Sequence, residues 1–185
     1  MKNPVPFLII LTMVWVGFAS SASKLFQACE ILSLKDANTL IDSGLQQKPF
    51  QWSPRPDGTT SSSCYYAPKG FNLEGDSRAN PYLEITVRQF KSASAAKTDF
   101  MRSIKESGQQ LPQIAHGGQY QAITGFGDMA YGIAGNFTDQ TPNLKIALMD
   151  ALKGAVIIQV LAWKPGSDPL MTTKAAMKLA ISRLP

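Results

Sequence analysis

The sequence is poor in the residues that most enzyme and metal sites need. It has one histidine, two cysteines and only 17% charged residues in 185. A zinc site of the usual kind needs four cysteine or histidine ligands, which the chain lacks if its cysteines are joined in a disulfide. The G-x-S-x-G elbow, the P-loop, the H-E-x-x-H motif and the dinucleotide-binding glycine pattern are also missing. We therefore predict no metal, no cofactor and no enzyme activity.

The first apolar run is too short to span a bilayer. Residues 7–18 form a run of 12, whereas a membrane-spanning helix needs about 20. The run follows Lys2 and precedes small residues at 19–23, as in a secretory signal peptide. We predict a signal peptide at residues 1–23 and a single domain at residues 24–185, in a periplasmic or secreted protein. A retained anchor is the alternative.

Basic residues are scattered, although the formal net charge is +5 at pH 7. Lys97, Arg102 and Lys105 share one predicted helix, on which Asp99 and Glu106 provide partners at helical spacing. This pattern is typical of a solvated helix face. Because export also separates the protein from nucleic acid, we predict no nucleic-acid partner.

The two cysteines, Cys29 and Cys64, both lie in the predicted domain. An even number of cysteines in an exported chain favours a disulfide. The alternative is a lipidated Cys29, because residues 26–29 loosely match a lipobox, and only then would the protein be bound to a membrane. Phe26 and Gln27 fit such a box poorly, and lipidation would leave Cys64 unpaired. The disulfide is the prediction, and the lipid-anchored form stays open.

Hydrophobic spacing predicts an α+β fold. Residues 82–90 alternate between an apolar face, with Leu83, Ile85 and Val87, and a polar face. Further strands are expected at residues 64–67, 129–134, 144–149 and 155–163. Helices are expected after Ser33, at residues 92–108 and from Asp168 to the end, and loops at residues 49–63, 67–81 and 109–121. The order favours an antiparallel sheet of about five to six strands covered by about three helices.

Four residues in the predicted loops are candidates for ligand binding: Trp52, Arg55, Arg78 and His116. Trp52 could form an aromatic wall with neighbouring tyrosines, although large aromatic residues beside a disulfide are usually part of the core. His116 lies in a glycine-rich polar loop, where a general base is possible, but no nucleophile can be paired with it from the sequence. A solvent-exposed histidine is the simpler interpretation.

Three short motifs occur together in the chain. They are Ala-Cys-Glu-Ile-Leu-Ser at residues 28–33, Cys64 followed by aromatic residues, and Gly-Phe-Gly-Asp-Met-Ala at residues 125–130. Together they resemble an uncharacterised family of small exported bacterial proteins and lipoproteins whose mature part starts near a Cys-acidic-Leu-Leu motif. The resemblance implies a PsbP-like fold, a disulfide between the two cysteines and no known catalytic residues.

These observations favour an exported, non-enzymatic binding domain that recognises a protein or a cell-envelope component through its polar loops. The alternative is a periplasmic carrier that encloses a small apolar ligand between a helix and the sheet. A cavity lined by Leu83, Ile85 and Val87 would favour the carrier over the binding domain. An enzyme of an unrecognised type is the third hypothesis. The sequence does not indicate the oligomeric state.

Overall fold

The computed structural model describes residues 25–52, 54–71, 80–136 and 144–185. The predicted signal peptide at residues 1–23 and the candidate ligand residue Arg78 lie outside these ranges. In the part of the chain that is described, no helix is both long and apolar enough to cross a membrane.

The fold is α+β, as predicted, with one antiparallel sheet of seven strands in the order β1-β2-β3-β7-β6-β5-β4. The sheet therefore has one or two strands more than expected. Strands β7 and β6, which come late in the chain, lie at and next to its centre, as their apolar sequences favour. The strands are β1 Gln46–Trp52, β2 Thr60–Ala67, β3 Tyr82–Gln89, β4 Gln121–Ala122, β5 Met129–Asn136, β6 Lys145–Lys153 and β7 Val156–Trp163.

The described residues contain four helices, one more than expected, because the single-turn helix α1 was not predicted. They are α1 Ala28–Ile31, α2 Leu34–Leu40, α3 Ala93–Ile114 and α4 Pro169–Ser182. The predicted caps at Ser33 and Asp168 are confirmed: Ser33 forms a capping box with Asp36, and Asp168 accepts from a backbone N–H of α4. For α3 the sequence allowed either Ser92 or Ser94, and the cap is Ser92.

One face of the sheet carries the main core beneath α1, α2 and α4. Leu83, Ile85 and Val87 lie on this face, and no more than 1% of each is exposed. Because almost no surface of these residues is accessible, they cannot line a ligand cavity. The structure therefore contradicts a carrier whose ligand cavity is lined by Leu83, Ile85 and Val87.

The N-terminal segment is tied to this core by the predicted disulfide between Cys29 and Cys64, which is confirmed. The backbone N–H of Ala28 also donates to Ser62 Oγ at 3.0 Å, and the Tyr66 hydroxyl donates to the Leu32 carbonyl. Strand β2, which carries Cys64, thus anchors α1 and the start of α2.

The opposite face is covered only in part. Helix α3 packs on β5, β6 and β7, where Ala96 and Phe100 are fully buried against Ile157 and Leu152. The helix does not cover the same face of β1, β2 and β3, which lies to one side of it. This half-covered face creates the cleft described below.

The predicted loop at residues 49–63 is wrong, because most of it forms β1 and β2. Strand β1 lies at the edge of the sheet, and Pro49 is paired in register with Cys64. Proline is tolerated in an edge strand because the N–H it lacks is not needed by a second neighbour. The prolines of this segment therefore indicated an edge strand and a turn rather than a long loop.

The predicted end of the second long helix at Gly108 is also wrong. Helix α3 continues to Ile114 through Pro112, so the first six residues of the expected polar loop at residues 109–121 are helical. Leu111 packs against a small cluster that contains Ile133 and Ile146. This packing offsets the helix-breaking tendency of the glycine and the proline.

The hairpin between the two central strands is tighter than expected. Residues 150–154 were predicted as its turn, but β6 continues to Lys153 and the turn is reduced to Gly154 and Ala155. Gly154 has a φ of 56°, in the left-handed region that glycine adopts without strain. Asp150 is therefore a strand residue inside the domain.

Candidate functional site

A cleft of about 750 Å³ lies between the uncovered half of the sheet and the flank of α3. Its sheet side is formed by the polar face of β2 and β3, with Gln159 of β7 at one margin. Its helix side is formed by residues that follow one another at helical spacing in the second half of α3. The unexpected continuation of α3 beyond Gly108 thus builds part of this wall.

The cleft is lined by polar side chains and one aromatic ring, and none of its lining residues is aliphatic. Six lining side chains carry hydroxyl groups, two carry carboxamides, two are arginines and two are glutamates. The lining residues are Trp52, Arg55, Thr59, Ser61, Ser63, Glu84, Thr86, Arg88, Ser103, Glu106, Ser107, Gln110 and Gln159.

A chain of hydrogen bonds orders the floor of the cleft. Ser63 Oγ and Thr86 Oγ1 are 2.7 Å apart, across the register of β2 and β3. Glu84 accepts from the Tyr82 hydroxyl at 2.7 Å and from Thr86 Oγ1 at 3.4 Å. These contacts fix the direction of the polar groups before any ligand enters.

Arg88 lies at the junction of floor and helix, where its charge is already compensated. It donates to Asp99 of α3 at 2.5 Å and to Ser103 Oγ at 3.5 Å. Arg102, one turn beyond Asp99, pairs with the same carboxylate. The two arginines and Asp99 form a network that holds α3 against β3, so Arg88 is mainly a structural cation.

Arg55 stands in the turn between β1 and β2, and its backbone is well supported. Its N–H donates to the Thr59 carbonyl at 2.9 Å, and its carbonyl accepts from Gly58 at 2.8 Å. Asp57 accepts from the Thr59 N–H at 2.8 Å, and this bond lowers the pKa of the Asp57 carboxyl. Among the described residues, the Arg55 guanidinium makes no ion pair or hydrogen bond.

Trp52 ends strand β1 at the mouth of the cleft, with 55% of its surface exposed. Its ring meets that of Phe50 edge to face, with 4.5 Å between the ring centroids. Phe50 is also half exposed. The expectation that Trp52 belongs to the core is therefore wrong, whereas Tyr66, at the other end of the pairing between β1 and β2, is fully buried.

A buried carboxyl group lies directly behind the cleft. Asp150 is 4% exposed and accepts from the Tyr120 hydroxyl at 2.6 Å and from the Gln159 amide at 2.8 Å. Burial raises the pKa of the Asp150 carboxyl, while the two donors act in the opposite direction. Burial and then the charge of Asp150 raise the pKa of the Tyr120 hydroxyl. Because Gln159 also lines the cleft, it connects this buried group to the site.

The structure brings together two of the four predicted ligand residues. Trp52 and Arg55 line the same cleft. His116 does not join them, because its backbone pairs with Asn136 of β5 near the opposite edge of the sheet. Arg78 lies outside the described residues, so its prediction was not tested.

The remaining lining residues were not predicted, although the sequence carried part of the signal. Glu84, Thr86 and Arg88 were recognised as the polar face of one strand. The sequence could not show that α3 packs mainly on β5, β6 and β7 and therefore leaves this polar face beside an open cleft. Gln110 was missed because α3 was expected to end at Gly108. Ser107 lies within the predicted helix, but the sequence could not show that its side chain faces the cleft.

Within the described ranges, no group of three or more histidine, cysteine, aspartate or glutamate side chains is placed to hold a metal ion. Of the acidic groups at the cleft, Asp99 is paired with Arg88, and Glu84 accepts from the Tyr82 hydroxyl.

The chain matches no protein-family model, and no curated protein is significantly similar to it. Its fold is similar to a solved structure, the extracellular domain of PknH from Mycobacterium tuberculosis, with a TM-score of 0.59. The similarity covers 84% of this chain and 93% of that domain, at 10% sequence identity. At this identity the likeness shows a shared fold, and the polar cleft must be interpreted from the residues of this chain.

Proposed function

We propose that the protein is an exported binding domain that holds a polar ligand in the cleft between α3 and strands β1 to β3. The observation that carries this proposal is the placement of Trp52 and Arg55 at the mouth of a polar, preordered cleft. An exposed indole and an unpaired guanidinium are available for a ligand, whereas the floor behind them is fixed by internal hydrogen bonds.

Export is supported by two observations. The chain forms a disulfide between Cys29 and Cys64, which is typical of proteins in oxidising compartments. The solved domain with a similar fold is described as extracellular. The Sγ of Cys29 that a lipid thioether would need is bonded to Cys64, which favours the soluble form.

We further propose that the domain binds without catalysing a reaction and that its partner is a component of the cell envelope, not nucleic acid. The single histidine lies away from the cleft, so the cleft has no imidazole base. Its two arginines are balanced by two glutamates, which gives no attraction for a polyanion.

The first prediction is that envelope material captured by the mature protein is lost when the mouth of the cleft is changed. Trp52→Ala and Arg55→Ala remove groups that make no ion pair or buried contact, so both variants should fold normally. Each is expected to weaken capture about tenfold or more. The measurement is a pull-down from envelope extracts, quantified against the unchanged protein.

Matched controls are available on α4, which covers the other face of the sheet. Met171 is the most exposed large apolar residue among those described, at 67%, and Lys178 is an exposed cation. Met171→Ala and Lys178→Ala should leave capture unchanged. Equal capture by all four variants and the parent would contradict the proposed site.

A further inference from the structure

We infer that the ligand of the cleft is an uncharged saccharide chain. The inference rests on the proposed function, because it takes the cleft as the ligand site and asks which chemical class fits its lining. Three features decide the class: the hydrogen-bonding groups, the exposed aromatic ring and the balance of charges.

The hydrogen-bonding groups match sugar hydroxyls. Eight of the thirteen lining side chains, six with hydroxyls and two with carboxamides, can both donate and accept. A sugar hydroxyl also donates and accepts, so such a lining can pair with it in several orientations. The pair formed by Ser63 and Thr86 shows that these groups already lie within hydrogen-bond distance of one another on the floor.

The exposed aromatic ring of Trp52 provides an apolar contact for the sugar ring. One side of a pyranose ring is a surface of C–H groups, which packs against the face of an indole. Trp52 contributes such a surface at the mouth of the cleft, and the edge-to-face contact with Phe50 holds its ring. A polar lining with one exposed aromatic ring is therefore suited to a molecule with hydroxyl edges and an apolar face.

The charges disfavour an anionic ligand. The lining has two arginines and two glutamates, and Arg88 is already paired with Asp99. Among the described residues, Arg55 is the one of these two arginines that makes no ion pair, and one such group is too little to attract a polyanion. An acidic glycan or a polyphosphate would require an excess of positive groups.

A peptide ligand fits less well than a saccharide. Extended peptides usually bind by pairing with a sheet edge and placing side chains in apolar pockets. The cleft has no aliphatic lining residue, and the nearby edge strand β1 is interrupted by Pro49, which has no N–H to donate. A peptide is therefore treated as the competing outcome of the experiment.

The direct test uses the fluorescence of Trp52. Outside the predicted signal peptide the chain has two tryptophans, Trp52 and Trp163, and Trp163 is only 5% exposed. Quenching by iodide therefore reports mainly on Trp52. The probes are short neutral oligomers of glucose, mannose, galactose and N-acetylglucosamine, with heparin as the polyanionic control.

We expect at least one neutral oligomer to protect Trp52 from iodide and heparin not to do so. Binding of that oligomer, measured by calorimetry, should weaken about tenfold in Trp52→Ala. In Met171→Ala it should be unchanged. Protection by heparin alone, or by none of the probes, would overturn the inference.

A second arm separates this inference from the proposed function. Envelope material is treated with periodate, which cleaves vicinal diols of sugars, or with protease, before capture by the parent protein and by Arg55→Ala. Loss of capture after periodate alone supports a saccharide. Loss after protease alone, with capture still dependent on Arg55, overturns the saccharide and leaves the binding cleft intact. Capture that does not depend on Arg55 or Trp52 contradicts the cleft itself.

Discussion

A buried carboxyl group behind a polar cleft has a definite consequence for stability. The pKa of Asp150 is raised by burial, so the native protein holds a proton at a pH where the unfolded chain has lost it. The contribution of this group to stability is complete below the unfolded pKa, near 4, and is lost as the pH rises through the higher native pKa. Asp150 therefore lowers the free energy of unfolding at neutral pH.

Replacement by the isosteric amide tests this argument. In Asp150→Asn the amide oxygen can still accept from Gln159. The amide nitrogen can donate to the Tyr120 oxygen, which replaces the bond that the Tyr120 hydroxyl donates in the parent by one of opposite direction. We expect the free energy of unfolding to be unchanged or about 1 kcal/mol higher at about pH 7. This difference from the parent should shrink as the pH falls toward about 4. Urea unfolding at a series of pH values measures it.

The difference in free energy of unfolding between Asp150→Asn and the parent reports on Asp150 alone, because all other groups titrate in both proteins and cancel. Asp36 is one of them: its hydrogen bond with Arg183 lowers the pKa of its carboxyl, which gives the opposite dependence on pH. Asp150→Ala is the contrasting variant, because it leaves the Tyr120 and Gln159 donors without an acceptor. It should lower the free energy of unfolding by about 2 to 4 kcal/mol. A destabilised Asp150→Asn with an unchanged dependence on pH would contradict the argument.

Among the elements, α3 is the one whose sequence and structure disagree most. Gly108 lies in the interior of the helix, where glycine costs about 1 kcal/mol relative to alanine. A methyl group at this position would contact only the Tyr120 ring, at 4.0 Å. Gly108→Ala is therefore expected to raise the free energy of unfolding by about 0.5 to 1 kcal/mol, measured by chemical denaturation.

Gly154 provides the matched control for this substitution. No atom of the described residues lies within 4 Å of a methyl group placed there, so space is equally available, but its φ is 56°. Gly154→Ala should lower the free energy of unfolding by about 1 kcal/mol, because an L-residue is strained in the left-handed region. If both variants changed stability in the same direction, backbone conformation would not be the cause.

The elements also show how far the sequence could predict the structure. Local signals with a fixed spacing were sufficient to predict several elements. They are the helix caps at Ser33, Ser92 and Asp168 and the alternation that places a strand around Ile85. Pro49 was misinterpreted because proline breaks a central strand but not an edge strand, and the order of strands is not a local property.

The same limit applies to the candidate site. Trp52 and Arg55 could be selected as exposed polar or aromatic candidates, but their shared cleft depends on how far α3 extends and on which strands it covers. Leu111 extends α3 by packing on Ile133, which lies in a strand formed later in the chain. Such a tertiary contact overrides the local preference at Gly108.

At the scale of the whole molecule, one covalent bond connects the N-terminal segment to the sheet. The bond between Cys29 and Cys64 closes a loop of 35 residues and joins α1 to strand β2. In the chain-entropy description, a loop of this length is worth about 4 kcal/mol. The paired variant Cys29→Ala with Cys64→Ala should lower the free energy of unfolding by about that amount, measured by urea denaturation, while the hydrogen bond from Ala28 to Ser62 remains.

The behaviour of the unchanged protein, isolated from its host, under reducing conditions decides between a disulfide and a lipid thioether at Cys29. With the disulfide intact, the protein should have a mass two hydrogens below that of the reduced chain, and a thiol reductant should destabilise it as much as the double substitution does. A thioether on Cys29 would instead add the mass of a lipid and leave stability insensitive to the reductant, since Cys64 would have no partner. The disulfide prediction requires the first result because both sulfur atoms are engaged with each other, which leaves none for an anchor.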